Sequence, residues 1–167
     1  MKEREERTYA VLESPIGPLL LSATNAGLRA IEFARNGRPA SPAAGWREDR
    51  AAMAEPLRQL AAYFAGELQR FDLPLAPRGT PFQQEAWRVL REIPFGETIT
   101  YGEQARRLGD PNKSRAVGAA NGKNPIPIVV PCHRVVGANG QLTGFGGGLE
   151  TKAWLLDHEW RVRLTWG

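Results

Sequence analysis

The chain opens with three short apolar-rich runs, TYAVLE (8–13), LLLSAT (19–24) and LRAIEF (28–33), separated by the turn residues of SPIGP and NAG. Runs of this length bounded by Gly, Pro and Asn predict strands joined as an antiparallel meander. NGRPASPAAGWRE (36–48) has no apolar period and reads as a loop. The period then becomes helical in AEPLRQLAAYFAGE (54–67), where Leu57, Leu60, Ala61 and Phe64 recur on one face and Pro56 lies in the first turn. After FDLPL the Pro/Gly-containing stretch APRGTP marks a boundary, giving an N-terminal α/β domain over 1–76, a connector at 77–80 and a second domain over 81–167.

In the second domain the start signals are sharper. Thr80 and Gln83 form a capping-box pattern with Pro81 between them, followed by Phe82, Ala86, Leu90 and Ile93 along one face, and the run stops at PFG. Thr100 and Glu103 repeat the capping box ahead of a short helix through Leu108 that Gly109 closes. After GDPNK a further helix runs over SRAVGAAN (114–121), so the pair predicts a helix-turn-helix. Ala116, Gly118, Ala119 and Ala120 offer no hydrogen bonds to base edges. Small residues there fit either close approach to a narrow minor groove or close packing of helices.

At 167 residues the chain can bury a core in one domain or two small ones. The net charge of +4 invites polyanions mildly. Its distribution is more telling: Arg106, Arg107, Lys113, Arg115, Lys123 and Arg134 face the single acid Asp110 over residues 106–134. That stretch is either a solvated basic face or a phosphate-facing surface. A single cysteine excludes an internal disulfide and a cysteine-cluster zinc site. The charged start MKEREERTYAV does not read as a secretory signal, and no apolar run is long enough to cross a bilayer. A reducing cytoplasm is the expected location.

That lone thiol sits in VPCHRVVG (130–137) beside one of the chain's two histidines. Lone cysteines usually pack as small core hydrophobes, but charged Arg134 and ionisable His133 are poor companions for an inert position, and a nearby cation or imidazole activates a thiol. In an extended segment adjacent side chains point to opposite faces, so Cys132 and His133 should not bond directly unless the chain turns, and a bridging water could carry the proton between them. ETKAWLLDHE (150–159) reads as a helix that sets Glu159 one turn beyond Leu155, beside Leu156 and Trp160 on the apolar face. Glu159 there would orient His133; otherwise it ends the helix in solvent beside His158.

NPIPIVVPCHRVVG resembles the active-site signature of the O6-alkylguanine-DNA alkyltransferases. SPIGPL, GTPFQQEAW, IPFGETITYGE, SRAVGAAN and TGFGGGLETKAWLLDHE follow that family's order and spacing over most of the chain. The resemblance implies an α/β (α+β) fold: a small antiparallel-sheet, ribonuclease-H-like domain followed by a mostly helical, winged-helix-like domain with the helix-turn-helix. It implies direct-reversal repair, in which the alkyl group of O6-alkylguanine, and of O4-alkylthymine, passes irreversibly to Cys132. His133 would deprotonate Cys132 through water, Glu159 would polarise His133, and Asn124 would pin the turn before the loop. Tyr101 would donate to guanine N3. Arg115 would occupy the gap left by the flipped base, with Lys113, Ser114, Ala116 and Ala119 also facing DNA. Cys132 and Val135 would offer carbonyls to the exocyclic amine, and Pro127 and Phe145 would wall the pocket. Gly146 and Phe145 replace the serine and tyrosine of some members, so a backbone N–H must serve guanine O6.

The implied partner is double-stranded DNA carrying O6-alkylguanine, bound through the minor groove by a monomer, with cooperativity on DNA left open and no membrane involved. No cofactor and no metal are expected, since the N-terminal zinc ligands of some members are missing. Two other functions compete. One is a non-enzymatic protein that flags alkylated bases, which Cys132 opposes; the other is a cysteine hydrolase, which the basic helix-turn-helix opposes.

Overall fold

The computed structural model describes residues 5–166. The chain divides into two compact units, between Pro77 and Arg78. In the first, β1 (Thr8–Leu12), β2 (Leu19–Thr24) and β3 (Gly27–Glu32) form the antiparallel meander. Leu19, Leu20, Leu21 and Ser22 of the central strand β2 are all buried, so this strand is covered on both faces and shows no alternation. The loop expected over 36–48 ends in a strand, β4 (Arg47–Glu48), which pairs parallel to β1 and makes the sheet mixed. FDLPL also joins β3: Leu28 N–H donates to Pro74 O, and Ala76 N–H to Leu28 O. Gly27 permits that approach, because its φ is +138° and a Cβ would fall 2.5 Å from the Pro74 carbonyl oxygen.

Helix α1 (Ala54–Phe64) buries Leu57 and Leu60 as its spacing predicts, but Ala61 is exposed and Gln59 and Tyr63 take the inner positions. Gln59 can be buried because its amide exchanges hydrogen bonds with both backbone groups of Asp72.

The second unit is helical. At the start of α2 (Pro81–Leu90) the capping box is complete, with Thr80 accepting from Gln83 N–H and Gln83 accepting from Thr80 N–H. Ala86, Trp87, Val89 and Leu90 are its buried residues. Phe82 is only half-buried, and Ile93 is buried beyond the helix end. β5 (Ile99–Thr100) leads into α3 (Tyr101–Arg107), where Thr100 accepts from Glu103 N–H. The reciprocal bond expected of Glu103 is replaced by ion pairs to Arg106 and Arg107. A 3-10 turn (Pro111–Lys113) links α3 to α4 (Ser114–Gly122). β6 (Val135–Val136) pairs parallel to β5, and α5 (Leu149–Trp166) closes the unit. No helix among the described residues is long and apolar enough to cross a membrane.

Buried polar contacts fix the helix-turn-helix on α2. The side chains of Gln104 and Asn121 exchange hydrogen bonds at 2.9 and 2.8 Å, Gln104 also donates to Ala86 O, and Trp87 Nε1 donates to Ala120 O at 2.8 Å. A buried network is stabilising only while every member is satisfied. Gln104→Leu strands the Asn121 amide and should cost about 1–3 kcal/mol in urea unfolding at pH 7, with part of the loss recovered in Gln104→Leu/Asn121→Leu; a double variant weaker than either single one would contradict the pairing.

Candidate active site

The segment after α4 is a tight loop that returns to the protein core. The Asn124 side chain donates to Val130 O at 2.8 Å and accepts from Ile126 N–H at 3.0 Å, closing a turn across Pro125–Val129. Val130 N–H donates to Ile126 O, and Cys132 N–H to Val130 O. Inside this loop buried Ile128 has a φ of +75°. A β-branched residue in the left-handed region stores strain of about 1–3 kcal/mol, held by the contacts around it.

Cys132, His133 and Arg134 form a 3-10 turn, so the extended geometry expected for Cys132 and His133 is not found. The chain turns because Arg134 N–H donates to Pro131 O and Val135 N–H to Cys132 O. All three residues are buried, and Cys132 keeps 9% of its surface exposed. The turn aims His133 Nε2 at Glu159 Oε2, 2.6 Å away, while Nδ1 is buried with no hydrogen-bond partner among the described residues.

Glu159 is fully buried on α5. The solvent-facing alternative for it therefore falls, although Trp160, expected on the same apolar face, is 55% exposed. Besides His133, Glu159 accepts from Arg134 Nε at 2.8 Å, Arg134 Nη2 at 3.0 Å and Gly96 N–H at 3.1 Å. Gly96 has a φ of +79° and lies against the Arg163 side chain, so the turn that supplies this N–H requires glycine. Burial alone would raise the Glu159 carboxyl, but His133 and Arg134 together hold it well below the usual carboxylate range. His133 is lowered by burial; Glu159 opposes this, and Arg134 and Lys152 reinforce it. Burial also pushes the Cys132 thiol up, with the Asn124 side chain and Lys152 acting the other way.

Arg134 is thus removed from the expected basic surface, and its third nitrogen donates to Ile93 O. Its buried fork explains why arginine follows the histidine. Arg106 and Arg107 are tied to Glu103, which leaves Lys113, Arg115 and Lys123 as the exposed cations of that stretch without an ion pair among the described residues. On α4 Arg115, Ala116 and Ala119 are exposed, Ser114 is half-buried, and Gly118 packs against the Tyr101 ring. Of the expected pocket residues, Pro127 is buried, Phe145 half-buried and Gly146 exposed. The Val135 carbonyl accepts from Lys152, and the Cys132 carbonyl from Val135 N–H.

Lys152 escaped the sequence reading. It is fully buried, with Nζ 2.7 Å from Val135 O, 2.8 Å from Thr143 O and 5.9 Å from the Tyr101 ring centroid. Thr143 in turn meets Tyr101, its Oγ1 donating to the phenol oxygen at 3.2 Å. Lys152, Leu155 and Glu159 are the buried residues of α5, a stripe at i, i+3 and i+7 that signals burial only once its lysine is accepted as an inward residue.

A helix-turn-helix followed, through one tight loop, by a buried thiol and an imidazole held by a buried carboxylate defines a nucleic-acid-binding fold with cysteine chemistry. Two family models match: "6-O-methylguanine DNA methyltransferase, ribonuclease-like domain" over residues 8–77 and "DNA binding domain" of the same family over 81–161. The chain is 53% identical over 151 residues to a methylated-DNA–protein-cysteine methyltransferase of Methanosarcina acetivorans, covering 90% of this chain and 97% of the relative. Mycobacterium tuberculosis O6-methylguanine methyltransferase is 47% identical, with a TM-score of 0.85 and 93% of each chain covered. Mycobacterium tuberculosis OGT in complex with DNA has a TM-score of 0.86 at 47% identity, covering 93% of this chain and 94% of that one. The chain belongs to the O6-methylguanine DNA methyltransferase family.

The depressed Glu159 carboxyl contributes stability that is complete above the unfolded value of about 4.3 and is lost as pH falls towards the folded value. Glu159→Gln should therefore cost about 3–5 kcal/mol at pH 7. In denaturant titrations at pH 7, 4 and 3 the gap between wild type and variant should hold near neutrality and narrow below pH 4; a gap that widens on acidification would refute the assignment.

Proposed function

We propose that the protein repairs DNA by direct reversal, moving the alkyl group of O6-alkylguanine once and irreversibly onto Sγ of Cys132. The observation that carries this reading is the buried His133 ring, held through Nε2 by Glu159 with no hydrogen-bond partner on Nδ1 among the described residues, in the same 3-10 turn as the single thiol of the sequence. A lesion inside the base stack must be flipped out before such a thiol can reach it. Sulfur attacks the alkyl carbon, the S–C bond forms as the C–O6 bond breaks, and the electron pair stays on the purine. The thiol proton leaves through a water to His133 Nδ1, and the departing guanine takes up one proton in exchange. Tyr101 donates to guanine N3 as negative charge develops there. The Cys132 and Val135 carbonyls receive the exocyclic amine, Pro127 and Phe145 wall the base, and the Gly146 backbone N–H faces O6. The same attack serves O4-alkylthymine.

Residues 81–167 act as the DNA-binding and alkyl-acceptor domain, joined by the connector 77–80 to the N-terminal domain. The protein works as a monomer in the reducing cytoplasm. Double-stranded DNA is met through its minor groove by the exposed Ala116 and Ala119, with Arg115 filling the gap and Lys113 and Ser114 near the phosphates. A role limited to flagging lesions is not favoured, because the thiol and its base are both in place. A hydrolase fits worse, since α3 and α4 would serve no purpose in it.

Incubation with duplex DNA carrying radiolabelled O6-methylguanine should move at most one methyl onto each chain, and Cys132→Ala should abolish transfer while leaving DNA binding intact. Label released as free product, or repeated turnover, would refute the reading. Arg115→Ala should slow repair of duplex DNA by about tenfold or more yet leave reaction with the free base O6-benzylguanine near wild type, because only the duplex has a gap to fill; equal losses on both substrates would remove Arg115 from that role.

A further inference from the structure

Tyr101 begins α3, and its phenol is the donor offered to guanine N3 above. Among the described residues both hydrogen bonds of that phenol go to one partner: Oγ1 of Thr143 donates to the phenol oxygen at 3.2 Å, and the phenol donates to Thr143 O at 3.4 Å. The two bonds are unequal. The Thr143 carbonyl is already taken by the Lys152 ammonium at 2.8 Å, and 3.4 Å is long for an O–H···O bond, so the phenol hydrogen is weakly held and easily redirected. A phenol whose oxygen accepts a hydrogen bond is in turn a stronger donor through its own O–H. Thr143 is exposed, but its backbone is fixed from the inside, because Lys152 is fully buried and also donates to Val135 O. A β-branched side chain on a fixed backbone has few rotamers, so the hydroxyl is presented at one place. Gly118 of α4 bounds the Tyr101 ring, since a Cβ there would fall 3.8 Å from it.

We propose that Thr143 is a positioning residue for the transfer: its hydroxyl holds the phenol oxygen of Tyr101 while the phenol hydrogen moves from Thr143 O to guanine N3. As the S–C bond forms and the C–O6 bond breaks, the electron pair left on the purine draws the phenol hydrogen towards N3. The negative charge that this gathers on the phenol oxygen is met by the Thr143 O–H, and Thr143 itself gains and loses no proton. One residue thus aligns the donor before the base arrives and strengthens it afterwards.

The inference rests on the repair reading and on Tyr101 as the donor to N3. Single-turnover transfer from duplex O6-methylguanine at saturating protein reads the rate apart from binding. Thr143→Val deletes the hydroxyl and keeps the branched shape; it should lower the saturating rate by about three- to tenfold with duplex affinity within about twofold, and Thr143→Ser should recover most of the rate. The loss should vanish in the Tyr101→Phe background, and on duplex 3-deaza-O6-methylguanine, whose C–H at that position accepts nothing. A loss of the same size in either case, or Thr143→Ser as slow as Thr143→Val, would mean that Thr143 only shapes the loop and would overturn the proposal, as would an unchanged rate in Thr143→Val. The contact is also read without DNA. The 13Cζ resonance of Tyr101, assigned through Tyr101→Phe, should move in Thr143→Val and return in Thr143→Ser; a resonance that stays in place overturns the proposal. Tyr101→Phe at the wild-type rate would remove the donor and overturn the role of Thr143 with it, whereas a wild type that transfers no methyl while the resonance moves would count against the repair reading alone.

Discussion

One buried carboxylate organises the second unit. Glu159, on α5, gathers donors from two other segments: His133 and Arg134 from the 3-10 turn after the acceptor loop, and Gly96 from the turn after α2. A charge taken wholly out of water is tolerated only when its lone pairs are filled, so the position of each donor is constrained by the others. The imidazole orientation follows from that constraint. So does the requirement for glycine at 96, since a side chain there would push against Arg163 and pull the N–H away from the carboxylate.

The acceptor loop is built to match. Asn124 closes the turn out of α4, and a strained Ile128 is held by buried neighbours, so Cys132 is delivered at a fixed position relative to α4. The Gln104–Asn121 pair and the Trp87 indole hold α3 and α4 on α2 from the other side. With Arg106, Arg107 and Arg134 committed to ion pairs, Lys113, Arg115 and Lys123 are the exposed cations of residues 106–134 without one among the described residues.

Much of this was legible in the sequence wherever the signal is local. The three strands, the Thr80–Gln83 capping box, the bounds of α4 and His133 as a candidate partner for Glu159 all follow from turn chemistry, capping, helical spacing and motif order. What the sequence hid depends on long-range pairing. Arg134 looks like a surface cation until Glu159 is found beside it, and Lys152 looks like a solvated helix residue until the carbonyls of Val135 and Thr143 are placed around it. The β4 pairing and the inward turn of Tyr63 in place of Ala61 are likewise tertiary choices that residue spacing does not encode. The 3-10 turn at Cys132 was missed for a local reason, since Pro131 and the apolar flanks suit an extended strand equally well.

The central claim is that Glu159 fixes the proton of His133 on Nε2 and so leaves Nδ1 as an acceptor. The 15N spectrum of the two histidine rings in the unreacted wild-type protein tests it most directly. A proton on His133 Nε2 with Nδ1 bare is the predicted result; a proton on Nδ1 would mean that the ring cannot receive one from Cys132, and the account would fail.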